Sequence, residues 1–255
     1  MSSLVLLLGL AAFIVAGVAG FGWALDRQVR GGILQQRSEA VNRPDWVRLQ
    51  QLPPHVTRAF LAVVDPGFME EGRLRAGGGG TTLSRELVRQ VHLLPGSLTG
   101  EARELMMGPV LENRTSKASL LELYLNRVYV GKEHGEPVYG IYHAAREFLE
   151  KEPVELTISE SATLAGMLLQ PRIEEPGDKP GAVGVRRNEV LRVMLEQGSI
   201  SEAEYRAALA EPLGFQPGLS RQPMSRPLDW ATEARVIRLP ESHRPRPDTT
   251  VQAEG

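Results

Sequence analysis

The chain contains no cysteine in 255 residues, which excludes disulfides, thiolate metal sites and a cysteine nucleophile while leaving the compartment open. It also lacks a charge of one sign. Twenty-nine Lys and Arg stand against 31 Asp and Glu, a formal net charge of -2, so the composition makes no electrostatic claim on nucleic acid. With 42% apolar and 24% charged residues, wholesale disorder is excluded as well. The five histidines, His55, His92, His134, His143 and His243, have no metal-ligand spacing. No internal repeat of about 20–50 residues is present. A prior of about 150 residues per domain then points to one large domain with appendages.

Charge is missing most completely near the start. Residues 4–25 read LVLLLGLAAFIVAGVAGFGWAL, 22 residues without one ionisable side chain. As a helix they would extend roughly 33 Å, enough to cross a hydrocarbon core of about 30 Å. A cleaved secretory signal is the competing reading, with Ala16, Ala19 and Gly20 as small residues. Against it, Met1, Ser2 and Ser3 carry no Lys or Arg, and the run is longer than a signal core. An uncleaved transmembrane helix, residues 1–25, is therefore expected. Arg27, Arg30 and Arg37 follow it, and the positive-inside bias alone would keep that side cytoplasmic.

Residues 26–45 form a polar stretch rich in Arg and Gln that reads as a stalk, helical over 26–37. Apolar residues at helical spacing predict further helices over 55–64, 83–94, 101–112, 117–130 and 186–197. Thr157 with Glu160, and Ser201 with Glu204, have capping-box spacing and mark two more helix starts. Four glycines, Gly77 to Gly80, precede the helix expected at Leu83. From residue 216, six arginines and repeated prolines leave no sustained apolar period, so 216–255 is expected to be a disordered Pro/Arg-rich tail.

Between 46 and 215 the chain resembles glycosyltransferase family 51, the peptidoglycan glycosyltransferase domain of penicillin-binding proteins and monofunctional transglycosylases. Lys117-Ala118-Ser119-Leu120-Leu121-Glu122-Leu123-Tyr124-Leu125-Asn126, with Gly131, is similar to the family pattern K-x-x-I-L-E-x-Y-L-N-x-x-x-x-G. Tyr139-Gly140-Ile141, Ala144-Ala145 and the stretch from Leu156-Thr157 to Pro171 continue it. Arg186-Arg187-Asn188-Glu189-Val190-Leu191-Arg192-Val193-Met194 resembles R-R-x-x-V-L-x-x-M. The resemblance implies a mainly α, lysozyme-like glycosyltransferase domain on the outer face of the cytoplasmic membrane. Its implied partners are the membrane, lipid II or nascent peptidoglycan, and other cell-wall synthesis proteins. The external placement it implies overrides the three arginines after the span.

Elongating a glycan requires a base for the acceptor hydroxyl and cations around the departing pyrophosphate. In the family the base is the Glu of E-D-x-x-F-x-x-H-x-G. Aligned here, that Glu falls on Val64, followed by Asp65 and Phe68, with Glu71 where the His should be. Valine cannot take a proton, and Glu70 or Glu71 is the candidate displaced base. The second motif, G-G-S-T-I-T-Q-Q, is matched by Gly79 to Glu86, which keeps Thr81, Thr82 and Ser84 as possible phosphate donors and loses both glutamines. Only 73–78 remain where the family has a long stretch between the two motifs.

The third motif, R-K-x-x-E-x-x-x-A-x-x-x-E, retains Glu104 and Glu112 on one helix face but places Gly100 and Glu101 where the cations belong. A charge contact of about 4 Å at an effective dielectric near 20 is worth roughly 4 kcal/mol, so this reversal is expensive. Arg89 or Arg103 is the candidate replacement cation. The resemblance puts Glu122, Asn126 and Arg186 on the substrate side, with packing and helix-to-helix bonding as the alternative. Impaired catalysis with retained binding of lipid II, glycan or partner proteins is the expectation. The alternative is an active polymerase using Glu104 with Glu70 or Glu71, with Mg2+ or another divalent cation. A lysozyme-like hydrolase, needing a carboxylate pair across the cleft, is a third reading.

Overall fold

The structure is a computed structural model describing residues 2–69, 82–92, 98–133, 135–168 and 180–214. Within its helices the side chains of 2–12, 14, 18, 90–92, 98–104 and 180 fall outside the description. The chain divides into a unit Met1–Gln222 and a unit Pro223–Gly255. The second unit, and with it the expected tail from residue 216, lies outside the described residues, so the following concerns the first.

The first helix, α1 (Ser2–Val29), runs through the whole charge-free segment without a break. One π-helical turn, Arg30–Leu34, leads into α2 (Gln35–Ala40). Leu25, Val29 and Ile33, four residues apart, are buried in the domain core, because that spacing stacks them on one helix face. The stretch expected to stand off as a stalk is therefore docked on the domain along this stripe. Among the described residues no helix is long and apolar enough to cross a membrane; half of the expected span has its side chains outside that set.

A 3₁₀ turn, Leu49–Gln51, precedes α3 (Pro54–Val64), which starts on a proline whose missing N–H costs nothing there. Next come α4 (Thr82–His92) and α5 (Leu98–Arg114). They pack together through Leu83, Leu87 and Val88 on one and Met107 and Leu111 on the other, all buried. The Ser116 hydroxyl caps α6 (Lys117–Arg127) by accepting the Ser119 N–H at 3.1 Å. Every residue from Leu120 to Leu125 is buried, so this helix lies inside the core.

The helix expected to reach residue 130 stops at Arg127, and β1 (Tyr129–Glu133) pairs antiparallel with β2 (Glu136–Tyr139). Val128 and Val130 favour extended backbone, and Gly135, at φ +77°, makes the turn. Tyr129 and Tyr139 face each other with ring centroids 5.4 Å apart. Then follow α7 (Gly140–Leu149), a 3₁₀ turn (Pro153–Glu155), α8 (Ile158–Met167), α9 (Pro180–Glu196) and α10 (Glu202–Ala210). Both predicted capping boxes form, Thr157 with Glu160 and Ser201 with Glu204.

All residues of α8 from Ser159 to Met167 are buried. Its hydroxyls tolerate this because Ser161 donates to the Thr157 carbonyl and Thr163 to the Ser159 carbonyl, each at 2.7 Å. α8 packs on α3 and α9. The approach to α9 depends on Gly166, where a Cβ would sit 3.1 Å from the Arg186 backbone carbonyl carbon. Gly140 is more constrained: its φ is +77°, and a Cβ there would stand 2.6 Å from the Asn126 carbonyl oxygen. The fold is mainly helical, as expected.

Candidate functional site

Three elements bring the surviving motif residues together. Val64, the last residue of α3, is half-buried against the core and carries no group able to take a proton. Asp65 follows it and is only 3% exposed. Its Oδ2 accepts the Thr82 backbone N–H at 3.0 Å, so the carboxylate closes onto the first turn of α4. Two residues further, the fully buried Ser84 donates its hydroxyl to Glu112 Oε1 on α5 at 2.5 Å. The end of α3, the start of α4 and the last turn of α5 thus meet in a polar node that includes two carboxylates, a hydroxyl and a helix-start amide.

Two donors at the start of α4 that could serve an anion, the Thr82 N–H and the Ser84 hydroxyl, are engaged by Asp65 and Glu112. Arg89, further along α4, is exposed and ion-paired with Glu86. Its charge lowers the proton affinity of Tyr124, but burial dominates and pushes that phenol well above its usual range. Glu104 and Arg103 lie on α5 with side chains outside the described residues, as do Glu70, Glu71 and Thr81 entirely. The displaced-base candidates are therefore not placed.

Glu122 and Asn126, for which the substrate side and bonding within the fold are the two expectations, hydrogen-bond within the fold. Glu122, 7% exposed, accepts the Trp46 indole N–H at 3.1 Å and the Leu49 N–H at 3.0 Å. Arg37 approaches the same carboxylate at 3.5 Å. Asn126 accepts the Val47 N–H and donates to the carbonyls of Val47 and Glu122, all at 2.8 Å. Together they bind the segment entering α3 onto α6, using side-chain groups where a strand would use backbone. Their hydrogen-bonding groups are committed to the fold.

In the arginine pair, Arg187 is the structural member. It is buried and donates to the Glu211 carbonyl at 2.6 Å and to the Ser159 hydroxyl at 3.2 Å, joining α9 to α8 and to the end of α10. Arg186 is half-buried, which lowers its guanidinium's proton affinity, and its backbone presses on Gly166. Arg43, Asp45 and His143 also come together: Asp45 accepts from Arg43 at 3.1 Å and lies 3.3 Å from the His143 ring. Their separation, with α7 supplying His143, left no spacing to find.

Among the described residues no group of three or more His, Asp or Glu is arranged to hold a metal ion. Asp65 and Glu112 each hold a donor of the fold, an amide and a hydroxyl respectively.

A helical domain with three broken and two intact motifs of a sugar-polymerising enzyme defines the class. The chain belongs to the transglycosylase family: the family model described as Transglycosylase matches residues 30–195. A Cupriavidus necator protein assigned as a transglycosylase is 32% identical over 186 residues, covering 67% of this chain and 79% of that one. Penicillin-binding protein 1F of Bacillus subtilis is 35% identical over 66% of this chain and 26% of its own length. The chain thus spans about a quarter of that relative. The solved structure of penicillin-binding protein 1A from Haemophilus influenzae matches 68% of this chain and 18% of its own, at 28% identity and a TM-score of 0.43. This is a peptidoglycan transglycosylase-like protein.

Proposed function

We propose that this protein is a membrane-anchored member of its family, impaired as a polymerase and acting in cell-wall synthesis by binding lipid II, nascent glycan or partner proteins. Val64 carries the reading: it stands where the family's base belongs, and the adjacent carboxylate of Asp65 is tied to the Thr82 amide. A general base must reach the proton it removes, and neither group meets that need. Engagement of Ser84 by Glu112 supports the same view.

The anchor is supported by α1 itself. Phe13, Val15, Phe21 and Trp23 are exposed, and at about 100° per residue they project to four different sides of the helix. A helix apolar all round belongs in lipid, whereas an amphipathic one belongs on a core. The domains we infer are an anchor over 1–25, a stalk over 26–45, a transglycosylase-type domain over 46–215 and a tail over 216–255. The domain lies outside the cytoplasmic membrane.

The test is equilibrium binding of a lipid II analogue to the full chain in detergent, followed over time. Saturable binding with the analogue recovered intact is expected. Its steady conversion to glycan would overturn the impairment, and absence of binding would overturn the ligand while leaving the partner-binding arm.

A further inference from the structure

We infer that the junction of α1 and α5 is a binding collar for anionic phospholipid headgroups; this rests on the anchor reading above. Trp23, Asp26 and Arg27 of α1, with Arg30 at the start of the π-helical turn that continues it, are spaced i, i+3, i+4 and i+7, so they share one face. That face is turned away from the buried stripe of Leu25 and Val29. Asp26 accepts the Arg30 Nε–H at 2.8 Å and, from the end of α5, the Arg114 Nε–H at 2.6 Å. One carboxylate therefore gathers two guanidiniums from two helices. Arg27 lies over the Trp23 ring, with Cζ 5.4 Å from its centroid.

Three guanidiniums against one carboxylate leave a surplus of two positive charges. The Arg30 and Arg114 side chains are 59% and 46% exposed, while Asp26 is covered. Each guanidinium retains donors beyond those spent on Asp26, and a planar fork matches a phosphodiester in two-point contact. The position fits the ligand. One turn before the collar the helix shows exposed Phe21 and Trp23, the residue types that sit at the level of headgroups. Lipid phosphates at the end of the apolar run would then meet Arg27, Arg30 and Arg114 together, holding both α1 and the C-terminus of α5 at one depth.

The test uses the full chain in vesicles of phosphatidylcholine and phosphatidylglycerol in equal amounts, with one or the other lipid brominated to quench nearby indoles. The Trp23 signal is the difference between the chain and Trp23→Phe. Brominated phosphatidylglycerol is expected to quench Trp23 more than brominated phosphatidylcholine. That excess should fall by a factor of about 2–5 for each of Arg27→Gln, Arg30→Gln and Arg114→Gln. It should also fall in the unmodified chain as salt is raised, which keeps the test valid if a variant does not fold. Equal quenching by the two lipids would overturn the collar and leave the anchor standing. An excess indifferent to salt and to the arginines would also overturn it. No quenching by either lipid would remove the anchor, and the collar with it.

Discussion

Asn126 makes three hydrogen bonds through one side-chain amide, and Glu122 accepts two N–H donors one helical turn away. Removing either leaves donors of the 46–49 segment buried without partners. Asn126→Ala and Glu122→Ala should each lower unfolding free energy by about 1–3 kcal/mol, measured by urea titration. Either mutation leaving stability unchanged would return these residues to a substrate role. Gly140→Ala should cost about 1–3 kcal/mol from backbone strain alone, with the contact on Asn126 added to it. At this scale the sequence displayed the right residues but not their partners. Val47 and Asn126 are 79 positions apart, and no periodicity links a loop amide to a helix side chain. Identity was legible from the motif; whether the motif faced ligand or fold was not.

Among the elements, helices with an apolar face or a capping box were legible, because both signals are local. The hairpin Tyr129–Tyr139 was not, since each strand is short and the first continues directly from α6. The docking of the connecting helix was also hidden: Leu25, Val29 and Ile33 are sparse among polar neighbours, and only their spacing of four betrays a buried face. Where α1 meets α5, hydrogen bonds from Arg30 and then Arg114 hold the Asp26 carboxyl below its ordinary value near 3.8, against the opposing effect of burial. A carboxyl depressed in the folded state stabilises fully above its unfolded pKa and loses that contribution as pH falls through the folded one. The contact of α1 with α5 should therefore be intact at neutral pH and loosen below about pH 4. Hydrogen exchange of the α5 C-terminal amides, compared between the chain and Asp26→Asn, should show acid-sensitive protection in the first and none in the second. Protection unchanged by acid in the unmodified chain would contradict this.

At the level of the molecule, the absences noted first acquire a physical meaning. A nearly neutral chain without cysteine folds into a mainly helical domain, with α6 and α8 enclosed by their neighbours. Three of its carboxylates are engaged by neutral donors of the fold: Asp65 by an amide, Glu112 by a hydroxyl, Glu122 by the entry to α3. A polymerase would need a group able to take a proton where Val64 stands. The central claim is therefore most directly tested by incubating the purified full-length protein with lipid II and Mg2+ and resolving the products by length, beside the Glu104→Gln variant. No glycan chains from either protein is the predicted result. Chains formed by the unmodified protein and lost in Glu104→Gln would contradict the account and establish a working, relocated site.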